Sequence, residues 1–188
     1  MFLLGKILNP RGIALVNATY NTGEFPTCVW FMDSLTLDPE QYTNLEKSLQ
    51  MTDCSWRIIV SHYPIITAGV YWGDPEIIKF RRRISPLIKK YKIDFYISGH
   101  DHSSQVIHHN RNFNDTVFLI AGAPSFVNIH SVSRARPLPG GADLVWFDDR
   151  NLRVVLYLEL TPEQFEYKFV KLTDKGDEII MSGTKSRK

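Results

Sequence analysis

Cysteine is scarce in this sequence, with only Cys28 and Cys54 in a chain of 188 residues. One possible pair is not a disulfide framework, so the fold has to rest on an apolar core, and the sulfur count fixes no redox compartment. Long apolar runs are absent too. None approaches the ~18 residues that cross a bilayer, and Met1 to Leu8 is interrupted by Gly5 and Lys6 with no small-residue cleavage site after it. No membrane segment and no signal is therefore legible. Neither sign of charge is in excess. A net charge of +2 gives no general attraction to nucleic acid or a membrane surface, and the compact basic cluster Arg81-Arg82-Arg83 has apolar flanks at helical spacing, as a solvated helix face would. Repeats, low-complexity tracts and Pro/Ser-rich linkers are also missing, so residues 1–188 are expected to form a single domain.

What is present suits a soluble α/β fold. A hydrophobic content of 44% with 22% charged residues supports one packed core. Thr27 to Met32 is aromatic and β-branched and stops at Asp33, which predicts a buried strand. Asp38-Pro39-Glu40 opens a helix running to about Gln50, with Asp38 as cap and Pro39 at the first helical position. Arg57-Ile58-Ile59-Val60-Ser61 is a continuous apolar run of the kind covered on both faces in a parallel sheet. From Pro75 to Tyr91, Ile77, Phe80, Ile84, Leu87, Ile88 and Tyr91 recur every three or four residues and predict an amphipathic helix, which Pro86 should kink or interrupt. Phe95 to Ser98 repeats the buried-strand pattern and completes a right-handed βαβ unit. Val117 to Ala121, Asp143 to Phe147, Val154 to Leu160 and Phe165 to Leu172 then read as strands joined by turns, giving a β-rich C-terminal half.

Both strands of the βαβ unit end in histidine, Ser61-His62 and Gly99-His100-Asp101-His102. Ligands of open α/β sheets collect at the carboxyl ends of strands. In extended backbone, residues two apart point the same way, so His100 and His102 should send two imidazoles into the crevice that His62 enters from the next strand. Gly99 is expected to take the turn where backbone approaches an ion. Imidazole is neutral near pH 7 and offers one nitrogen lone pair, which makes this triplet a candidate metal site. Asp101, between two ligands, is expected to point away from them and to orient an imidazole. His108-His109 lies in a polar stretch and reads as exposed, and His130 is a candidate for the rim of the cleft.

The paired blocks Ile58 to Pro64 and Asp94 to His102 resemble the last two signature blocks of the calcineurin-like metallophosphoesterases, in particular purple acid phosphatases of the small, tartrate-resistant type. Phe31 to Leu37 and the strands up to Gly176 are similar to that family as well. The resemblance implies the C-terminal part of a β-sandwich flanked by helices, and a binuclear centre of Fe(III) with Fe, Zn or Mn. By the same resemblance, His62 and His100 are ligands of the divalent ion and His102 is a ligand of the ferric ion. The family hydrolyses phosphomonoesters with a metal-bound hydroxide.

Blocks that would supply the bridging aspartate, the tyrosinate and the asparagine are not found here. Met1 falls just after the last of them in the resemblance, so this chain is expected to bring only the histidine half of the site, to hold at most one ion weakly, and to present an apolar edge to a protein partner. The family's catalytic histidine is replaced in Ala68-Gly69-Val70-Tyr71-Trp72-Gly73-Asp74, where Tyr71 is the candidate catalytic residue. A phenol that ordinarily ionises near pH 10 is a poor general acid, so Tyr71 and Trp72 also read as walls of the cleft. A second expectation is a silent scaffold, since Asp94 to Asp101 and Ala68-Gly69 resemble the glideosome-associated phosphatase-like anchors of apicomplexan parasites. The acceptor triplets Asn17-Ala18-Thr19 and Asn114-Asp115-Thr116, with the family's habits, imply a glycoprotein of the secretory pathway, secreted or lumenal.

Overall fold

The computed structural model describes residues 16–21, 26–36, 38–109, 112–122, 138, 141–151 and 153–187. The strands are β1 (Val16–Asn21), β2 (Pro26–Met32), β3 (Trp56–Ser61), β4 (Phe95–Ser98), β5 (Ser104–His109), β6 (Thr116–Ala121), β7 (Asp143–Asp148), β8 (Val154–Leu160), β9 (Gln164–Lys171) and β10 (Glu178–Ser186). Among the described residues there are also two α-helices, α1 (Pro39–Met51) and α2 (Pro75–Lys90), and a short 3₁₀ turn at Val70–Gly73. Seven strands form one sheet in the order β1-β2-β3-β4-β6-β5-β7, and β10-β9-β8 form a second. Strands β2, β3, β4 and β6 run parallel, while β1, β5 and β7 pair antiparallel.

Two-sided burial explains the uninterrupted apolar runs of the central strands. On β3, Ile59 faces the helices while Trp56 and Ile58 face the second sheet. On β6, Phe118 and Ile120 turn one way and Val117 and Leu119 the other. Leu45 and Leu49 of α1 and Phe80, Ile84, Leu87 and Ile88 of α2 pack on Trp30, Ile59, Tyr96 and Phe118. Each fully buried side chain of this size contributes about 1.5–3 kcal/mol. Across the opposite face, Phe95 stacks on Phe165 with ring centres 3.7 Å apart, and the Trp56 indole donates to the Thr161 carbonyl at 2.8 Å. The α/β sandwich with helices on its outer face is therefore the architecture expected from the sequence.

Both helices begin as their sequences dictate. Asp38 accepts from the Glu40 amide at 2.9 Å and Asp74 from the Glu76 amide at 2.8 Å, each followed by proline at the first helical position. Lys89 and Lys90 fall in the last turn of α2, where positive charge suits the helix dipole. Pro86 does not interrupt α2, which runs from Pro75 to Lys90. Pro86 and Arg82 both lie on the exposed face, so the carbonyl that loses its amide partner turns to water. The basic cluster is only partly a solvated face. Arg82 and Arg83 are exposed, but the half-buried Arg81 lies over the Trp72 ring at 4.8 Å and donates to the Trp72 carbonyl at 3.1 Å.

One expectation changes, and one open choice is decided. The stretch Ser104 to His109 is a strand between β6 and β7 rather than an exposed polar segment, and His108 is half-buried with its Nε2 3.5 Å from the Tyr167 hydroxyl. Cys28 and Cys54 are joined as a disulfide with Cα atoms 5.8 Å apart, tying β2 to the segment that enters β3. The second sheet covers its neighbour incompletely. Ile58 and Phe95 are buried, whereas Val29, Val60, Ile97 and Ala121 beside them are half-buried, and Tyr157 on β8 is 53% exposed.

Closing a loop of 26 residues removes chain entropy worth about 3 kcal/mol from the unfolded state. The double variant Cys28→Ala/Cys54→Ala is expected to lose that amount in urea unfolding, and a loss below 1 kcal/mol would be inconsistent with this account. Burial holds the His108 imidazole below the usual histidine range. Its folded pKa lies under its unfolded one, so stability is full above the ordinary histidine pKa and falls as pH drops through it. In thermal melts between pH 7 and pH 5, His108→Gln should flatten that fall.

Candidate functional site

Strands β3 and β4 pair in register, Val60 opposite Ile97, so their carboxyl ends emerge side by side. Past the strands, the Gly99 amide donates to the His62 carbonyl at 3.2 Å, which carries the alignment one residue further. His62 is exposed and His100 half-buried. Their rings meet edge to face with centres 5.0 Å apart, and His100 Nδ1 lies 3.0 Å from His62 Nε2.

The route by which His100 arrives there differs from the extended geometry expected. Residues 99 and 100 lie outside the strand, and His100 takes φ of 65°. Gly99 is not among the described glycines with positive φ, and a side chain there would meet open space. The left-handed residue is thus the histidine. That conformation costs an L-residue roughly 1–2 kcal/mol, and such local strain is characteristic of functional sites.

A buried polar cluster holds the turn in place. Asp101 is 1% exposed and lies outside the strands, with its carboxylate turned to Thr67 and the Tyr71 loop. It accepts from the Thr67 hydroxyl and from the Tyr71 amide at 3.4 Å. Gln105, fully buried, gives its amide hydrogens to Thr67 Oγ1 at 3.1 Å and Ser103 Oγ at 2.8 Å, and accepts from the Ala68 amide at 2.9 Å. Burial pushes the Asp101 carboxyl up, against the lowering influence of Thr67, the Tyr71 amide and His102. Two glycines leave room for this residue. A Cβ on Gly69 would stand 2.5 Å from the Asp101 carboxylate, and one on Gly122 would overlap its carbonyl oxygen. Gly122, Thr67 and Gln105 were not singled out from the sequence, and Gly69 only as part of the Tyr71 loop, because only the fold brings them to Asp101.

Tyr71 sits in the short 3₁₀ turn Val70–Gly73 with its ring centre 4.6 Å from that of His100 and 6.4 Å from that of His102. Tyr63 packs on the other flank of His100 at 4.8 Å. Burial, and then His62, hold the His100 imidazole below the usual range, while Asp74 acts in the opposite sense. A neutral ring with a free lone pair is the form that ligates metal.

The donor set fits one cation. Two nitrogens bound to one octahedral ion at ~2.1 Å stand ~3.0 Å apart, the distance from His62 Nε2 to His100 Nδ1, so an ion held there would replace the hydrogen bond those two atoms share. The set does not fit a pair of cations. Among the described residues, no three His, Cys, Asp or Glu side chains gather as a metal would require, and His102 lies beside Tyr71 with ring centres 6.4 Å apart. His130 lies outside the described residues.

A family profile described as calcineurin-like phosphoesterase matches residues 21–104. Tartrate-resistant acid phosphatase type 5 of Oryctolagus cuniculus is 26% identical over 157 residues, covering 77% of this chain and 46% of that protein. The chain thus spans less than half the length of this curated relative. Among solved structures, GAP50, the anchor in the inner membrane complex of Plasmodium, superposes with a TM-score of 0.68 at 22% identity, over 93% of this chain and 54% of that one. The purple acid phosphatase PPD1 from yellow lupin (Lupinus luteus) seeds also superposes with a TM-score of 0.68, at 17% identity over 86% of this chain and 31% of that one. At these identities the structures speak for the fold alone. The histidine-ended parallel strands β3 and β4 fall within residues 21–104, the stretch that matches the calcineurin-like phosphoesterase profile, and the chain is similar in sequence to tartrate-resistant and purple acid phosphatases.

Proposed function

We propose that this chain supplies the imidazole side of a metal-dependent phosphomonoesterase site. His62 and His100 are its ligands for a divalent ion, and His102 stands toward the ferric position. The observation that carries this reading is the His62 to His100 approach of 3.0 Å at the carboxyl ends of two parallel strands. A bound ion would lower the pKa of water and neutralise charge on phosphoryl oxygens. This chain's own residues orient that ion. The Asp101, Thr67 and Gln105 cluster fixes the turn bearing His100, and Tyr63 and Tyr71 clamp the ring from two sides. Tyr71 also stands where the family uses a histidine, on the side expected to face a leaving group. The carboxylates of a complete binuclear centre have to come from a protein partner or from further polypeptide.

A second reading, a phosphatase-like anchor without turnover, draws on the packing of Tyr71 against His100 and on the extent of the likeness to GAP50. Under either reading the disulfide, the two acceptor triplets and the acid phosphatase relatives support a glycoprotein routed through the secretory pathway.

Calorimetric titration of the chain with Zn²⁺ or Mn²⁺ should give about one equivalent, with affinity reduced at least tenfold in His100→Ala, in line with the loss of a direct ligand. Two tightly held equivalents, or unchanged affinity in the variant, would overturn the single-ion reading. Alone, the chain is expected to leave p-nitrophenyl phosphate intact. In an assembly that does hydrolyse it, Tyr71→His should raise kcat about 10²-fold, the usual scale of a well-placed acid, and no gain would remove Tyr71 from the chemistry.

A further inference from the structure

Residues leading into β6 carry Asn114-Asp115-Thr116, remote from His62 and His100. We propose that Asn114 is the site of an N-linked oligosaccharide, transferred from a lipid-linked pyrophosphate donor. The proposal rests on the secretory routing inferred above.

Asn114 is exposed, with φ of 51°, and Asp115 follows at 66°. Two successive left-handed residues hold the turn outward, and Asn and Asp are the side chains that take this region at least cost. The tripeptide is anchored on both sides. Phe113 is buried against Phe118 at 5.4 Å, and the Thr116 hydroxyl donates to the Ile93 carbonyl at 2.7 Å. Asn114 therefore projects from a fixed support.

The side-chain amide has a hydrogen to give. Asn114 Nδ2 donates to the Lys89 carbonyl at 2.7 Å, and an amide nitrogen carries two hydrogens. In the transfer, the sugar C1 bond to the pyrophosphate oxygen breaks and a C1 to Nδ2 bond forms. One amide proton is lost and the lipid pyrophosphate departs. The remaining hydrogen keeps the bond to Lys89, so the modified residue sits in the same turn. Thr116 is fully buried in the folded chain, so the transferase has to read its hydroxyl before folding closes over it, while the chain is still entering the lumen.

Position also suits a glycan. The turn precedes β6, which runs parallel to β4, so it lies at the amino end of the sheet, at the pole opposite His62 and His100. A sugar there leaves the cleft open. The Cys28–Cys54 bond belongs to the same oxidising compartments.

The test is made on the natural protein, treated with peptide N-glycosidase in heavy-oxygen water and mapped by peptide mass spectrometry. Residue 114 is expected as isotope-labelled aspartate in a chain with Cys28 and Cys54 joined. Unmodified Asn114 beside an intact disulfide overturns the site while leaving the routing, whereas unmodified Asn114 with free thiols overturns both. For the chain secreted from cultured eukaryotic cells, Asn114→Asp should lose one glycan's gel shift and Thr116→Ser should keep it. A full shift surviving in Asn114→Asp sinks the proposal.

Discussion

Ile58, Ile59 and Val60 lie in parallel register with Phe95, Tyr96 and Ile97, and helices cover one side of this ribbon while a three-stranded sheet covers the other. A parallel pair with both faces dry has no freedom to slip, because a one-residue shift would exchange the residues facing α2 for those facing β9. Everything at the carboxyl end inherits that rigidity. Tyr96 extends it into the cleft, donating its hydroxyl to the Tyr63 carbonyl at 2.7 Å from a fully buried position. His62 and His100 meet because their strands cannot end anywhere else.

Past the strand ends, precision passes from sheet hydrogen bonds to a polar core. Asp101 is a buried carboxyl ringed by hydrogen-bond donors, an arrangement tolerable only when its lone pairs are satisfied. Thr67, the Tyr71 amide and the two glycines that let it fit provide this. The same cluster ties the loop bearing Tyr71 to the turn bearing His100, so the two side chains move together. The left-handed backbone of His100 is held from both sides.

The parts of the fold legible in sequence were those written in local pattern. The helix caps at Asp38 and Asp74, the apolar period of α2 and the dry runs of β3 and β4 all announced themselves, and the histidines followed from where those runs stop. What stayed hidden depends on contacts across the chain. Nothing local shows that His108 belongs to a strand packed against Tyr167, that Arg81 leaves its basic neighbours to lie over Trp72, or that His100 rather than Gly99 takes the left-handed turn. The disulfide was an open choice until β2 and the end of α1 were seen side by side.

Charge decides what such a site can hold. Two divalent ions ~4 Å apart repel by about 17 kcal/mol even at an effective dielectric of 20, and neutral imidazoles offer nothing to set against that. Carboxylates do act on the cleft, but each is committed elsewhere. Asp33 accepts from the Leu35 amide, Asp74 caps α2, and Asp101 binds Thr67 and the Tyr71 amide. Asp74 still makes itself felt at His100, so the field at the two imidazoles suits a single cation better than two. A second ion would require anionic ligands beyond these imidazoles, because the register of β3 and β4 already fixes where His62 and His100 stand.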